Sequence, residues 1–261
     1  MLNANGYKYL RLSFDGFIGI IKMNRPPVNA FNLEFIDEFN NAIDEFAINS
    51  GVRVVVITSN VDKFFATGVD IKLMFTMDPK DVQSGLTNLF DKIQHLHKPV
   101  IAMINGHALG GGCELTLCCD FRFMEKDSSK IGLPEINLGI IPAAGGTQRL
   151  CRLLGRGRAM ELLVLGIPLM AKEALEAGLI HKAFDHKDLM ERTLEYAHKL
   201  ANQAPVAVAL IKKCINEGID ADLKRGLEIE REALLTALQT EDAREGIRAF
   251  LEKRSLKFKG K

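Results

Sequence analysis

Short apolar runs alternate with longer helix-like segments over the first 145 residues. The runs "VRVVVITS" (52–59) and "VIAMI" (100–104) are typical of strands that are buried on both faces. The segments 33–46 and 81–97 carry apolar residues at intervals of three and four, which predicts amphipathic helices. Because strands that alternate with helices usually pair in parallel, the pattern predicts an α/β fold.

The two ends of the chain differ from this central pattern. Asp15-Gly16, between "KYLRLSF" and "FIGIIKMN", predicts a β-hairpin. From about residue 145 onward the periodicity is helical, and only "LIHKAF" (179–184) interrupts it with a predicted short strand. We therefore predict a core over residues 1–200 and a helical region over 201–261 that serves as an oligomer contact or a lid.

Composition excludes several classes of partner. The formal charge of +1 gives no overall field that would attract nucleic acid or an anionic membrane. The sequence has neither a secretory signal pattern nor an apolar run of the ~18 residues that span a bilayer. Five cysteines lack the paired spacing of disulfides or metal sites, so we expect reduced, mostly buried thiols and no metal. These features predict a soluble, cytoplasmic protein.

The segment "HALGGGCELTL" (107–117) places three glycines before a cysteine and a glutamate. It does not match the glycine patterns that bind dinucleotides or phosphates, and the chain lacks the common serine-hydrolase, zinc-protease and dithiol motifs. A helix that starts in this run would direct unpaired N–H groups at an oxyanion, with Glu114 nearby as an acid or base. Equally, Glu114 could complement the helix dipole while the glycines permit close packing.

A second carboxylate, Glu135, lies in the apolar segment "GLPEINLGIIPAAGGTQRL" (132–150), and a third notable loop is "FFATGVDIK" (64–72). Taken singly, Glu135 fits a surface residue beside a proline turn. Two carboxylates in one cleft would instead have separated pKa values and form a coupled acid–base pair. Spacing along the chain leaves both interpretations open.

Together these three segments resemble the crotonase (enoyl-CoA hydratase/isomerase) family. "MNRPPVNAFN" (23–32) and "EDAREGIRAFLEKR" (241–254) match as well, so the resemblance covers nearly the whole chain. It implies a crotonase-like spiral of ββα repeats, with a C-terminal helical region that forms homotrimers, usually paired into hexamers. It also implies acyl-CoA thioester substrates and no cofactor beyond the coenzyme A of the substrate.

The resemblance also implies roles for individual residues. The N–H groups of Val69 and Gly111 would form an oxyanion hole, and that of Ala143 would hold the catalytic water. Glu114 would activate the water and Glu135 would protonate Cα. The remaining acyl-CoA-binding positions are Val28, Thr67, Gly68, Asp70, Ile71, Lys72, Met74, Leu133, Pro134 and Lys253.

The presence of both glutamates favours an enoyl-CoA hydratase, which adds water to a 2-trans-enoyl-CoA. An isomerase, dehalogenase or hydrolase on the same scaffold is the alternative, since an oxyanion hole serves each of these reactions. The sequence departs from the family pattern at three places: Thr67 replaces the usual alanine, Leu133 replaces a frequently polar residue, and "NRPPVNAF" lacks the common lysine. The acyl group of the substrate is therefore not assigned.

Two further expectations come from comparison with the family. Some members are described as binding RNA through a lysine-rich first helix, whereas "NLEFIDEFNNAIDEFAINS" (32–50) is acidic and contains no lysine. We therefore expect no nucleic-acid partner. His107 attracts attention as a catalytic candidate, but its position predicts a packing role.

Overall fold

Two β-sheets and the helices that surround them form the fold, in a computed structural model that describes residues 6–70 and 79–261. The six-stranded sheet has the order β1 (Leu10–Asp15), β2 (Ile18–Met23), β3 (Val54–Ser59), β5 (Val100–Ile104), β7 (Phe121–Glu125) and β10 (Lys182–Phe184). The four-stranded sheet has the order β4 (Phe64–Ala66), β6 (His107–Leu109), β8 (Lys130–Gly132) and β9 (Leu169–Met170). Within the described ranges, β1 with β2 and β8 with β9 are antiparallel, and the other neighbours pair in parallel.

Ten helices lie in the part of the chain that the structure describes, and the last four follow one another without an intervening strand. They are α1 (Leu33–Ile48), α2 (Pro79–His95), α3 (Gly111–Cys118), α4 (Gly146–Leu154), α5 (Arg156–Leu165), α6 (Ala171–Glu176), α7 (His186–Ala201), α8 (Pro205–Ile219), α9 (Leu223–Leu238) and α10 (Glu241–Glu252). A short 3-10 helix spans Glu135–Leu138. In the part of the chain that the structure describes, no helix is both long and apolar enough to cross a membrane.

Three successive turns of the spiral, which contain β3 and β4, β5 and β6, and β7 and β8, each contribute one strand to each sheet. β3, β5 and β7 enter the large sheet, and β4, β6 and β8, which directly follow them, enter the small sheet. α2 follows β4, and α3 follows β6, so two of these turns are complete ββα units. This arrangement confirms the predicted α/β spiral of ββα repeats.

The central strands β3 and β5 of the large sheet are buried on both faces. Val55 and Ile57 of β3 lie in one apolar cluster with the buried face of α1, whereas Val54 and Val56 lie in a second cluster with Leu189 of α7. Asn32 caps α1 by accepting a hydrogen bond from the N–H of Phe35 at 2.8 Å. The continuous apolar runs of the sequence therefore reflect burial on two sides.

The predicted helices, the hairpin and the strand in "LIHKAF" are all present, but the interpretation of two loops was incomplete. Phe64–Ala66 and His107–Leu109 are the strands β4 and β6, whereas the sequence predicts loops at these positions. Each has only three residues, too few to show a two-residue alternation. The small sheet therefore has little signal in the sequence.

His107 and the cysteines occupy structural positions. The His107 ring packs against Phe64 with centroids 5.4 Å apart, and its Nδ1 accepts a hydrogen bond from the N–H of Lys130 at 3.0 Å. All five cysteines are free thiols; Cys113, Cys118 and Cys119 are buried, whereas Cys151 and Cys214 are half-buried.

The C-terminal helices contact the core through polar anchors. On α8, Lys212 Nζ donates to Asp120 Oδ2 at 2.7 Å, and Asn216 Nδ2 donates to the carbonyl of Gln94 at 2.8 Å. The outer face of α8 exposes Ile211 and Ile215 to 60% and 62%. The division at residue 200 stays a prediction.

The position of α3 depends on close contact with β4, which gives a test of the fold. A Cβ on Gly112 would overlap the carbonyl group of Ala66, whereas one on Gly157 of α5 would meet open space. We expect Gly112→Ala to destabilise the protein by ~1–3 kcal/mol through overpacking, and Gly157→Ala to be neutral or stabilising. Thermal unfolding followed by circular dichroism measures both; equal melting temperatures would refute the close contact.

Candidate active site

A cleft of about 1410 Å³ lies where three strands of the small sheet end. Parallel pairing places Ala66 of β4 beside Ala108 of β6, and Leu109 beside Gly132 of β8. Because parallel strands end at the same edge of a sheet, the segments that follow them emerge side by side. This edge brings together the three segments that the sequence singled out.

The segment after β4 directs one backbone N–H toward the cleft. The N–H of Phe31 donates to the carbonyl of Gly68 at 3.1 Å, and the N–H of Asp70 donates to the carbonyl of Phe31 at 3.0 Å. Val69 lies between them and forms a parallel bridge with Phe31. Since successive residues of an extended chain face opposite sides, the N–H of Val69 points away from Phe31.

The segment after β6 supplies a second donor at the start of α3. Gly110 precedes the helix with φ of +56°, a conformation that favours glycine, and Gly111 is its first residue. The N–H of Gly111 therefore has no intrahelical acceptor and lies at the positive end of the helix dipole. A Cβ on Gly111 would lie 3.2 Å from the Cα of Gly68, so the two backbones are nearly in contact. Two N–H donors so arranged can bind an oxyanion.

Glu114 is almost fully buried, with 4% of its surface exposed. Its Oε1 accepts hydrogen bonds from the N–H groups of Ala144 and Gly146, each at 2.8 Å. Glu114 therefore binds the N–H groups of a distant loop rather than those at the start of its own helix, α3. Burial raises the pKa of this carboxyl, and the two N–H groups and the Arg149 guanidinium oppose that rise.

Glu135 begins the 3-10 helix and is half-buried. Its Oε2 is buried and receives no hydrogen bond from the residues that the structure describes. Burial is the main cause that raises its pKa to about 7, and the charge of Glu114 adds to it. Glu135 is therefore unlike an ordinary surface glutamate, and it can exchange a proton near neutral pH.

Ala143 is exposed at the wall of the cleft, directly before Ala144, whose N–H binds Glu114. Its carbonyl accepts a hydrogen bond from Gln83 Nε2 of α2 at 3.2 Å. Among the described hydrogen bonds its N–H has no acceptor, so this donor is available to a molecule in the cleft.

Most of the predicted site residues share the cleft. Its lining includes Val28, Thr67, Gly68, Val69, Asp70, Gly111, Glu114, Pro134, Glu135 and Ala143. Leu133 is buried and packs beside Gly146, because a Cβ on that glycine would lie 3.0 Å from Cδ1 of Leu133. Lys253 follows α10 and does not belong to this lining. Ile71, Lys72 and Met74 lie outside the described residues.

Sequence reasoning missed two residues that support the wall of the cleft. Arg25 lines it, with Nη2 3.0 Å from Asp70 Oδ2 and Nη1 donating to the carbonyl of Ala30 at 2.7 Å. Asn29 is fully buried with φ of +51°, and its Nδ2 donates to the carbonyl of Phe65 at 2.9 Å. Asparagine tolerates this conformation better than most residues, so an asparagine two residues after a proline pair was the available signal.

Two carboxyl groups in different environments and two candidate backbone donors line one cleft. This arrangement defines a class of enzymes that stabilise an oxyanion while moving protons at neighbouring carbon or oxygen atoms. Comparison with known proteins then identifies the family.

The chain belongs to the enoyl-CoA hydratase/isomerase family, whose model matches residues 14–261. It is 39% identical over 249 residues to a short-chain-enoyl-CoA hydratase of Clostridium acetobutylicum, with coverage of 94% of this chain and 95% of that protein. It is 37% identical over 256 residues to a crotonyl-CoA hydratase of Syntrophomonas wolfei, with coverage of 97% and 98%. A crystal structure of an enoyl-CoA hydratase from Bacillus anthracis superimposes with a TM-score of 0.93 at 38% identity, covering 97% of this chain and 100% of that one.

The environment of Glu135 predicts a pH-dependent effect on stability. The pKa of Glu135 rises to about 7 on folding. Its favourable contribution to the free energy of unfolding is therefore complete below the ordinary glutamate pKa and is lost as the pH rises through about 7. We therefore compare the melting temperature of Glu135→Gln with that of the unmodified protein at each pH. We expect the difference, variant minus unmodified protein, to become more positive between about pH 5 and about pH 8. Exposed Glu230→Gln controls for the lost charge; a parallel pH dependence in both variants would contradict the assigned environment.

Proposed function

We propose that this protein adds water across the 2,3 double bond of a 2-trans-enoyl-CoA and forms a 3-hydroxyacyl-CoA. The observation that carries the proposal is that the carboxyls Glu114 and Glu135 line one cleft with the backbone of Val69 and Gly111. The named activities of the relatives from Clostridium acetobutylicum and Syntrophomonas wolfei support the same hydro-lyase reaction.

The N–H groups of Val69 and Gly111 bind the thioester oxygen. As water attacks Cβ, electron density moves through the conjugated system onto that oxygen, and the two donors stabilise the enolate-like charge. Their effect is larger in the transition state than in the substrate because the charge develops during the attack.

The two carboxyls have complementary roles in proton transfer. Ionised Glu114 and the N–H of Ala143 hold the attacking water, and Glu114 accepts its proton. Neutral Glu135 delivers a proton to Cα, for which a pKa of about 7 is well suited. A net proton transfer from Glu114 to Glu135 through solvent then restores the starting state.

Coenzyme A would extend along the segments after β2 and β4. Val28 and Thr67 are held together there, since the N–H of Thr67 donates to the carbonyl of Val28 at 3.1 Å. We assign Gly68, Asp70, Ile71, Lys72, Met74, Leu133, Pro134 and Lys253 to the same acyl-CoA site on the basis of motif position. Lysine side chains can pair with the phosphates of coenzyme A.

Substitution of either carboxyl tests the chemistry. We expect Glu114→Gln and Glu135→Gln each to lower turnover of crotonyl-CoA by ~10²-fold or more, because an amide cannot accept or donate the proton. Loss of the ultraviolet absorbance of the conjugated thioester measures the rate, with Glu230→Gln as the control. Rates near those of the unmodified enzyme would contradict the roles, and inactivity of the unmodified protein on short, long and cyclic enoyl-CoAs would contradict the function.

We further propose that the protein assembles as a homotrimer or a pair of trimers. The apolar residues Ile211, Ile215 and Ile219 recur at four-residue intervals on α8 and are 60%, 62% and 57% exposed. Such a stripe on one helix face is costly to leave in water and suits contact with another copy.

Solution mass tests the assembly. With a chain mass of 28.9 kDa, light scattering after size exclusion should give three or six times that value. Ile211→Glu with Ile215→Glu should lower the mass, because charges would be buried without partners, whereas exposed Lys213→Glu on the same helix should not. A monomer mass at micromolar concentration would contradict the proposal.

A further inference from the structure

The loop over residues 143–146 serves the site at two points. Ala143 offers its N–H to the cleft, and the N–H groups of Ala144 and Gly146 hold Oε1 of Glu114 at 2.8 Å. The same loop therefore sets the direction of the carboxylate and of the water donor. Whatever fixes this loop also fixes the relative position of these two groups.

Arg149 on α4 is the side chain that holds this loop. Its Nη1 donates to the carbonyl of Ala144 at 2.9 Å. The other two donor positions are anchored on α2, where Nε donates to Gln94 Oε1 at 2.7 Å and Nη2 to Asp91 Oδ1 at 2.6 Å. Because the guanidinium is planar and its side chain is only 15% exposed, three anchors leave it little freedom.

The backbone of the loop is shaped to receive this guanidinium. Gly145 has φ of +103°, and a Cβ there would overlap Nη1 of Arg149. The carbonyl of Gly145 also accepts the N–H of Arg149 at 2.8 Å, which fixes the start of α4. Gly145 therefore lets the guanidinium reach the carbonyl of Ala144, which belongs to the residue whose N–H binds Glu114.

We propose that Arg149 is a positioning residue for hydration, acting through the carbonyl of Ala144 on the Glu114 carboxylate and on the water-binding N–H of Ala143. The proposal rests on the hydratase function given above. Arg149 itself is not among the residues that line the cleft, so it would act through the loop. Its role is to transmit the rigid position of α2 to the loop.

The charge of Arg149 also acts on Glu114, and the other groups around this carboxyl must be considered. Glu135 faces it from the 3-10 helix, and Cys113 and Cys118 lie on its own helix. Burial raises the pKa of both thiols, so they stay neutral at working pH. Arg149 is the cation that lowers the pKa of Glu114. Its removal should therefore raise the pH at which Glu114 ionises.

Two substitutions separate the hydrogen bonds of Arg149 from its charge. For Arg149→Met we expect kcat to fall by about 10- to 100-fold, because the catalytic groups lose their alignment, while KM changes by less than about threefold. The acidic limb of kcat/KM against pH should move to higher pH. Arg149→Lys keeps the charge and should leave the limb near its original position, with kcat between those of the other two proteins.

The controls distinguish positioning from loss of fold and from failure of the proposed function. Arg152→Met, on the exposed side of α4, should keep normal kcat. Calorimetric measurement of the binding of unreactive butanoyl-CoA shows whether Arg149→Met is folded. If the unmodified protein hydrates crotonyl-CoA and a folded Arg149→Met keeps kcat within about threefold and an unmoved limb, the positioning role is overturned.

A second variant decides the question if Arg149→Met does not fold. Asp91→Ala combined with Gln94→Leu leaves the arginine in place but removes both acceptors on α2. We expect kcat to fall by about 3- to 10-fold with little change in KM, since the loop is then held less rigidly. Unchanged kcat in this double variant, with normal binding of butanoyl-CoA, would overturn the proposal.

Discussion

Parallel pairing of β4, β6 and β8 is the interaction on which the candidate site depends. Three strands of three residues each cannot form a stable sheet alone. They are held by the core, where Phe65 and Ile131 are fully buried. Their common edge then presents three otherwise distant loops to one cleft, and the close fit of Gly112 to the carbonyl of Ala66 sets the depth of α3.

The electrostatics of the cleft follow from this packing. Glu114 is buried and Glu135 is half-buried, and this burial by itself favours the neutral acid at each position. Two backbone N–H groups and Arg149 counteract this effect at Glu114, whereas Oε2 of Glu135 is buried without a hydrogen bond from the described residues. The unequal environments distinguish a carboxyl with donors that favour negative charge from one without them, which agrees with the roles proposed for the two glutamates.

Sequence reasoning succeeded where a pattern extends over many residues. Helix α1, predicted over 33–46, and the strands β3 and β5 were recognised because period and length agreed. The short strands β4 and β6 were missed because three residues carry no period. Arg149 was not considered for the site, because its contacts with Asp91 and Ala144 are visible only when α2 and the loop are seen together.

The sequence by itself determined the local features of the site and the family to which the chain belongs. It placed glycine where Gly110 needs a positive φ, put Glu114 about one turn into a helix, and carried the ordered motifs whose resemblance the comparisons confirm. Only the tertiary structure decided that Glu114 is held by Ala144, 30 residues away, and that Glu135 shares the same cleft. The physical reason is that burial, pKa and hydrogen-bond partners depend on distances between separate segments, whereas local sequence patterns govern only the conformation of each segment.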